Sequence, residues 1–132
     1  MENNSILTIS KVRLEHAKED LDSAKDLLIS KKYKQCANRS YYAIFHAMRA
    51  VLAFDLIDMK SHKGIISEFR RLYIKTKIFS EKLSNIITEL VIIRTNSDYE
   101  DFYIISKEEA EEQMKKSKFF IKEIEKFLKS KK

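Results

Sequence analysis

Apolar residues recur along this chain at three- and four-residue steps, the period of one face of an α-helix. The first such stripe predicts a helix over residues 10–30, with Ser10 as its N-cap and five inward-facing positions: Leu14, Ala17, Leu21, Ala24 and Leu28. Similar stripes predict helices over 33–54, 61–73, 80–94 and from 107 to the end of the chain. The pattern therefore predicts an all-α fold, an up-and-down four-helix bundle with one additional short helix. We expect a single domain over residues 1–132, with its core at about 10–130.

The second predicted helix is apolar on more than one side, because the stretch from Tyr41 to Leu52 is apolar except at His46 and Arg49. A helix that is apolar nearly all round is central to its bundle or buries a second side against a partner. The last helix is predicted to begin at Ser106, whose spacing to Glu109 is that of a capping box.

Residues 95–103 are polar enough to predict a loop before that last helix. The loop also carries Tyr99, Phe102 and Tyr103. We favour aromatic side chains that fix the loop to the bundle over ones that stack on nucleic-acid bases.

Composition excludes several kinds of protein. One glycine and no proline exclude glycine-rich phosphate loops, and the single cysteine, Cys36, excludes an intrachain disulfide and a zinc–cysteine cluster. No basic leader is visible, and the longest apolar stretch is interrupted by His46 and Arg49, so we expect a cytoplasmic protein without a membrane span. His16 has metal-compatible spacing to Glu19 and Asp20, but an ordinary surface histidine is the better interpretation. We expect neither a metal nor a cofactor.

Positive charge is concentrated in one part of the chain. Residues 27–77 hold eleven basic and three acidic side chains, an excess larger than the +6 of the whole chain. Such a face favours a polyanion, although lysine-rich helices are often only soluble surfaces.

Arg39 and His46 form the most informative pair. Seven residues apart on one helix, they lie within ~20° of each other around the axis and ~10.5 Å apart along it, with Tyr42 between them and Arg49 extending the row. Arginine matches phosphate oxygens and histidine moves protons near neutral pH, so the pair suits phosphodiester transfer on RNA. The alternative is structural: Arg39 binds a helix terminus and His46 is a hydrogen-bonded core residue.

At these residues the sequence resembles the HEPN domain family, specifically its small stand-alone prokaryotic members. The resemblance rests on Asn38–Ala47, on Ser61–Ile66 followed by Phe69, and on Arg94 with Ser97–Phe102, and it extends from about Leu14 to Leu128. The family motif is an arginine and a histidine separated by four to six residues. Ser40 departs from the stronger polar residue often found after that arginine, and no tyrosine closely follows the histidine.

The resemblance implies a dimeric helical bundle and a metal-independent endoribonuclease, often a toxin paired with a minimal nucleotidyltransferase antitoxin. It implies His46 as general acid/base and Arg39 as phosphate ligand, with a substrate-binding set of Ser40, Tyr42, Arg49, His62, Lys63 and Arg94. His62 could instead cap the short helix, Arg94 could instead pair with Asp98, and the tyrosines could pack across a dimer interface. The alternative function is a non-catalytic subunit that binds nucleotide or substrate beside a nucleotidyltransferase.

Overall fold

Five α-helices follow one another along the chain in a computed structural model, which describes residues 2–131 and the side chains from Asn4 to Lys131. The helices are α1 (Glu2–Ile29), α2 (Tyr33–Leu52), α3 (His62–Phe69), α4 (Glu81–Tyr99) and α5 (Lys107–Lys129). A 3-10 turn, Ala53–Asp55, extends α2, and a π-helical turn, Arg70–Ile74, extends α3. The predicted all-α fold of four long helices and one short helix is confirmed.

α2 is the central helix, as its apolar surface predicted. It packs against each of the other four helices, and twelve of its residues are buried. α1 runs antiparallel to α2: Arg13 of α1 donates to the carbonyl of Arg49 (3.0 Å), whereas Asp20, further along α1, accepts from Arg39, earlier in α2. The joint between them turns sharply at Lys31, whose φ of 64° lies in the left-handed region.

Local capping chemistry sets two helix starts. Ser106 accepts from the backbone N–H of Glu109, whose carboxylate accepts from the N–H of Ser106, so the predicted capping box is confirmed. Ser61 caps α3 by accepting from Gly64 N–H. His62 is therefore the first residue inside the helix, and the prediction that it serves as the cap is wrong.

Two predicted boundaries are wrong. Ser10 does not cap α1, because the helix already runs from Glu2 and Ser10 is a buried position inside it. No proline or glycine precedes Ser10 to stop the helix earlier. α4 likewise continues to Tyr99 rather than ending near Arg94, and an ion pair one turn apart, Arg94–Asp98, spans the extension.

The aromatic side chains of the α4–α5 loop do not all fix it to the bundle. Tyr99 is 83% exposed and Phe102 is 94% exposed. Tyr103 alone of the three is partly buried, against a small cluster that includes Cys36 and Ile105. The prediction holds for Tyr103 and is wrong for the other two.

Phe69 anchors α3 to the rest of the core. Its fully buried ring stacks on Tyr73 and Phe79, with centroids 5.7 Å away in both cases, and lies 5.9 Å from the ring of Phe120 on α5. This cluster fixes the position of α3, and with it His62, relative to α2. No helix in the described part of the chain is both long enough and apolar enough to cross a membrane.

Candidate functional site

One face of α2 carries a row of polar side chains at helical spacing: Arg39, Tyr42, His46 and Arg49. All four are partly exposed, although the neighbouring positions on α2 are buried. The side chain of His46 retains 23% of its exposure, and that of Arg39 retains 37%. The predicted common face of Arg39 and His46 is therefore accessible from outside the bundle.

Asp20 of α1 joins the two residues of the predicted motif. Its Oδ1 accepts from Nη1 of Arg39 at 3.2 Å, and its Oδ2 lies 3.6 Å from Nε2 of His46. The carboxylate is only 16% exposed. One carboxylate therefore accepts a hydrogen bond from the Arg39 guanidinium and lies beside the His46 imidazole, with which it forms an ion pair only when the imidazole is protonated.

Arg39 has two further contacts that orient its guanidinium. Nη2 donates to Oδ1 of Asn38 at 2.8 Å, and the group lies 4.8 Å from the centre of the Tyr42 ring. The guanidinium therefore binds side chains of α1 and α2, and the alternative that it binds a helix terminus is wrong.

His46 has an environment that favours its neutral form. Burial lowers the pKa of His46 most strongly; Asp20 opposes this by favouring the charged form, and the positive charges of Arg49, His16 and Arg39 lower the pKa further. Its Nδ1 is buried and makes no hydrogen bond within the described residues. The imidazole at neutral pH is mainly unprotonated, and Nε2 is the nitrogen on its more accessible side.

Arg94 reaches this face from α4 and makes the ion pair with Asp98 that was its alternative predicted role. Its Nε lies 3.3 Å from Oδ2 of Asp98, and its Nη2 donates to the Tyr42 hydroxyl at 3.3 Å. Its guanidinium also lies 4.9 Å from the centre of the Tyr41 ring. The structure therefore shows the predicted Asp98 pair and also brings Arg94 alongside the Arg39 row.

His62, the first residue of α3, contacts both Tyr41 and Tyr42 of α2. Its Nδ1 is 2.8 Å from the hydroxyl of Tyr41, and its ring stacks on Phe45 with centroids 4.0 Å apart. Burial lowers the pKa of His62, and the charges of Arg94 and Arg49 lower it further. The ring meets Tyr42 edge-on at 5.6 Å, which makes His62 a neighbour of the candidate site.

The remaining predicted substrate-binding residues lie in three different settings. Ser40 is fully buried and donates to the carbonyl of Cys36 at 2.9 Å, which contradicts its predicted contact with a substrate. Arg49 forms an ion pair with Asp58 at 3.0 Å, and the Asp58 carboxylate also lies 3.4 Å from Arg13. Lys63 is exposed at the start of α3.

Asp20 is the residue whose role the sequence did not predict. It lies three residues after Ala17 and four before Ala24, two fully buried alanines on the face of α1 that packs against α2. This spacing could have predicted that Asp20 faces α2. His16 is exposed, with its ring 5.8 Å from that of His46. The described residues contain no group of three or more side chains able to hold a metal ion.

Comparison with known families decides the membership of this chain. The model of the HEPN domain matches residues 10–127, which include every residue of the candidate site. The chain belongs to the HEPN domain family. The face of α2 that carries Arg39 and His46 therefore lies within the HEPN domain.

Several proteins are similar to this HEPN chain. Two from Methanocaldococcus jannaschii, each named "putative toxin", are 32% and 34% identical to it. The first match covers 89% of this chain and 80% of the relative, and the second covers 88% and 86%. A Thermotoga maritima protein named "UPF0332 protein" is 29% identical, with 85% of each chain covered.

Proposed function

We propose that this HEPN protein is a metal-independent endoribonuclease that acts as the toxin of a toxin–antitoxin pair. The observation that carries the proposal is the Asp20 carboxylate, which binds Arg39 at 3.2 Å and lies 3.6 Å from His46 on a partly exposed face. The names of the two Methanocaldococcus jannaschii relatives support the toxin role.

RNA supplies its own nucleophile, the 2′-hydroxyl next to each phosphate, so the reaction needs a base, an acid and a charge clamp. Nε2 of neutral His46 accepts the 2′-hydroxyl proton as the 2′-oxygen bonds to phosphorus. The bond from phosphorus to the 5′-oxygen breaks, and that oxygen takes a proton from the imidazolium. The products are a 2′,3′-cyclic phosphate and a 5′-hydroxyl end.

Arg39 stabilises the charge that develops on the phosphoryl oxygens, because its planar guanidinium can donate two parallel hydrogen bonds. Asp20 stabilises the imidazolium that forms transiently at His46. Tyr42, Arg49 and Arg94 lie along the same face and would contact the phosphates and sugars beside the scissile bond.

The proposal includes a homodimer that places two such faces in one cleft, and a minimal nucleotidyltransferase as antitoxin; both follow from the family resemblance. We also place the protein in the cytoplasm, where RNA is available and the free thiol of Cys36 remains reduced. Burial raises the pKa of that thiol, which keeps it protonated and unreactive.

RNA cleavage by the purified protein tests the catalytic proposal. Structured and single-stranded RNA are incubated in chelator with wild type, His46→Ala, Arg39→Ala and, as the control, Lys118→Ala, at an exposed position of α5. We expect wild type and the control to produce cyclic-phosphate ends. We expect His46→Ala and Arg39→Ala to cleave roughly a hundred-fold more slowly. Cleavage by His46→Ala at the wild-type rate would overturn the mechanism.

The second candidate function is a non-catalytic subunit that binds nucleotide or substrate beside a nucleotidyltransferase. One observation favours it: Arg39 is already engaged by Asp20 and Asn38. Co-expression with such a partner separates the two functions. Stable co-purification without any RNA cleavage supports the second function, whereas growth arrest that requires His46 supports the first. Light scattering on the purified chain tests the dimer.

A further inference from the structure

A second feature lies beside the candidate site: a groove of about 710 Å³ between α3, its π-helical turn and α4. Basic side chains line it, and none of the residues that line it is acidic. The basic residues are His62, Lys63, Arg70, Arg71, Lys75 and Arg94.

Not every one of these charges is available to a ligand. Arg71 donates two hydrogen bonds to the Glu68 carboxylate, at 2.8 and 2.9 Å, and Arg94 lies against Asp98. Arg70 differs, because it donates only to neutral oxygens of α4: the Ser84 hydroxyl, the Ser84 carbonyl and the Thr88 hydroxyl. Arg70 therefore keeps its full positive charge in a fixed position.

Two exposed lysines add to the charge of Arg70. Lys63 stands at the start of α3 and Lys75 follows the π-helical turn, so the three cations are distributed along the groove. The groove also has an apolar side made by Ile66, Val91 and Ile92, and Ile92 is 53% exposed. Cations beside an apolar surface suit a ligand that alternates phosphates with flat bases.

The groove is continuous with the candidate site. Tyr41, His62 and Arg94 line it, and Arg94 also donates to the hydroxyl of Tyr42, the ring on which Arg39 lies. A strand whose phosphate is held at Arg39 could therefore run past Arg94 into the groove without leaving a positively charged surface.

We propose that this groove binds the single-stranded RNA segment that flanks the scissile phosphate, with its backbone on Lys63, Arg70 and Lys75 and a base against the apolar side. The proposal rests on the proposed function for the identity of the nucleic acid. It goes beyond that function in assigning Arg70 and Lys75 to substrate binding and in giving the strand a path from Arg39 past Arg94 into the groove.

The test measures binding without cleavage. The probe is a fluorescent single-stranded RNA octamer with 2′-O-methyl riboses, which lacks the nucleophile, and anisotropy is recorded across a salt series. The groove variant is Lys63→Gln/Lys75→Gln, which leaves Arg70 to tie α3 to α4. The matched control is Lys118→Gln/Lys122→Gln, the same charge change at two exposed positions of α5.

Each phosphate contact to a single strand contributes about 0.7 to the slope of log K against log salt. We expect the groove variant to bind more weakly with a slope smaller by about 1.4, and the control to match wild type. Equal slopes for the groove variant and the control overturn the proposal.

Two further outcomes separate this inference from the proposed function. If the groove variant has a reduced slope but the wild type cleaves no RNA, the groove assignment stands and the proposed ribonuclease activity is wrong. If adenosine monophosphate binds wild type but not the groove variant, while the octamer slope is unchanged, the groove is a mononucleotide site and the strand assignment is wrong.

Discussion

Replacement of Asp20 by asparagine tests the geometry on which the candidate site depends. The substitution keeps the size and shape of the side chain and removes one negative charge. That charge lies 3.6 Å from Nε2 of His46 and 3.2 Å from Nη1 of Arg39. The imidazole therefore loses the one neighbour that favours its protonated form, while Arg49, His16 and Arg39 continue to disfavour it.

Coulomb's law at 3.6 Å gives the scale of the effect. The attraction between the two charges is about 1 kcal/mol with the dielectric of water and about 5 kcal/mol at an effective dielectric of 20. The side chains of His46 and Asp20 are only 23% and 16% exposed, so the effect lies between these two figures and the lower one is a minimum. A change of about 1 kcal/mol shifts the balance between protonated and neutral imidazole roughly five-fold toward the neutral form.

Titration of the imidazole signals by NMR measures this directly, with His46→Gln used for assignment. We expect wild-type His46 to titrate below its ordinary value of 6.5, because burial lowers its pKa, and Asp20→Asn to titrate lower still. The control is Glu19→Gln, the loss of an exposed acid one residue away. An unchanged or raised titration midpoint in Asp20→Asn would refute the contact, as would an equal shift in Glu19→Gln.

Three further predictions concern stability. Phe69→Ala should lower the free energy of unfolding by about 3–5 kcal/mol in urea titrations, because the ring is fully buried, whereas Phe102→Ala, at a 94% exposed ring, should change it little. Ser106→Ala should lower the free energy of unfolding by about 1 kcal/mol in the same assay, because it breaks the capping box. Ser80→Ala should lower it less, because the side chain of Ser80 makes no capping hydrogen bond. Burial lowers the pKa of His46 and His62, so below about pH 6.5 the unfolded chain binds more protons than the folded chain. The free energy of unfolding should therefore decrease as the pH falls through this range. His46→Gln/His62→Gln should make that decrease smaller.

Local patterns made much of the fold predictable. The three- and four-residue spacing of apolar side chains depends only on helix geometry, and the Ser106–Glu109 box depends on four consecutive residues. The common face of Arg39 and His46 follows from the same geometry, since both lie on one helix. The end of α4 was not predictable in this way, because the polar composition of residues 95–99 concealed a stretch without any helix-breaking residue.

The candidate site depended on packing that the sequence alone did not reveal. Asp20 reaches Arg39 and His46 only because α1 packs antiparallel on α2 in one register. Ser40 immediately follows Arg39, yet the helical turn directs it into the core, where Ser117 of α5 donates to its carbonyl. Family resemblance suggested candidate residues, but the contacts between helices determine which of them are accessible from outside the bundle.

The shared carboxylate also couples substrate binding to proton transfer in the proposed mechanism. Without substrate, Arg39 and His46 both lie beside Asp20. Burial lowers the pKa of His46 most strongly, and the charge of Arg39 makes the smallest of the charge contributions that lower it further. A phosphate that binds Arg39 neutralises that charge and takes over hydrogen bonds that the guanidinium otherwise gives to Asp20. We expect Asp20 then to act on the imidazolium alone and the pKa of His46 to rise when a phosphodiester is in place. In the proposed mechanism this would make His46 a stronger base at the step where it accepts the 2′-hydroxyl proton.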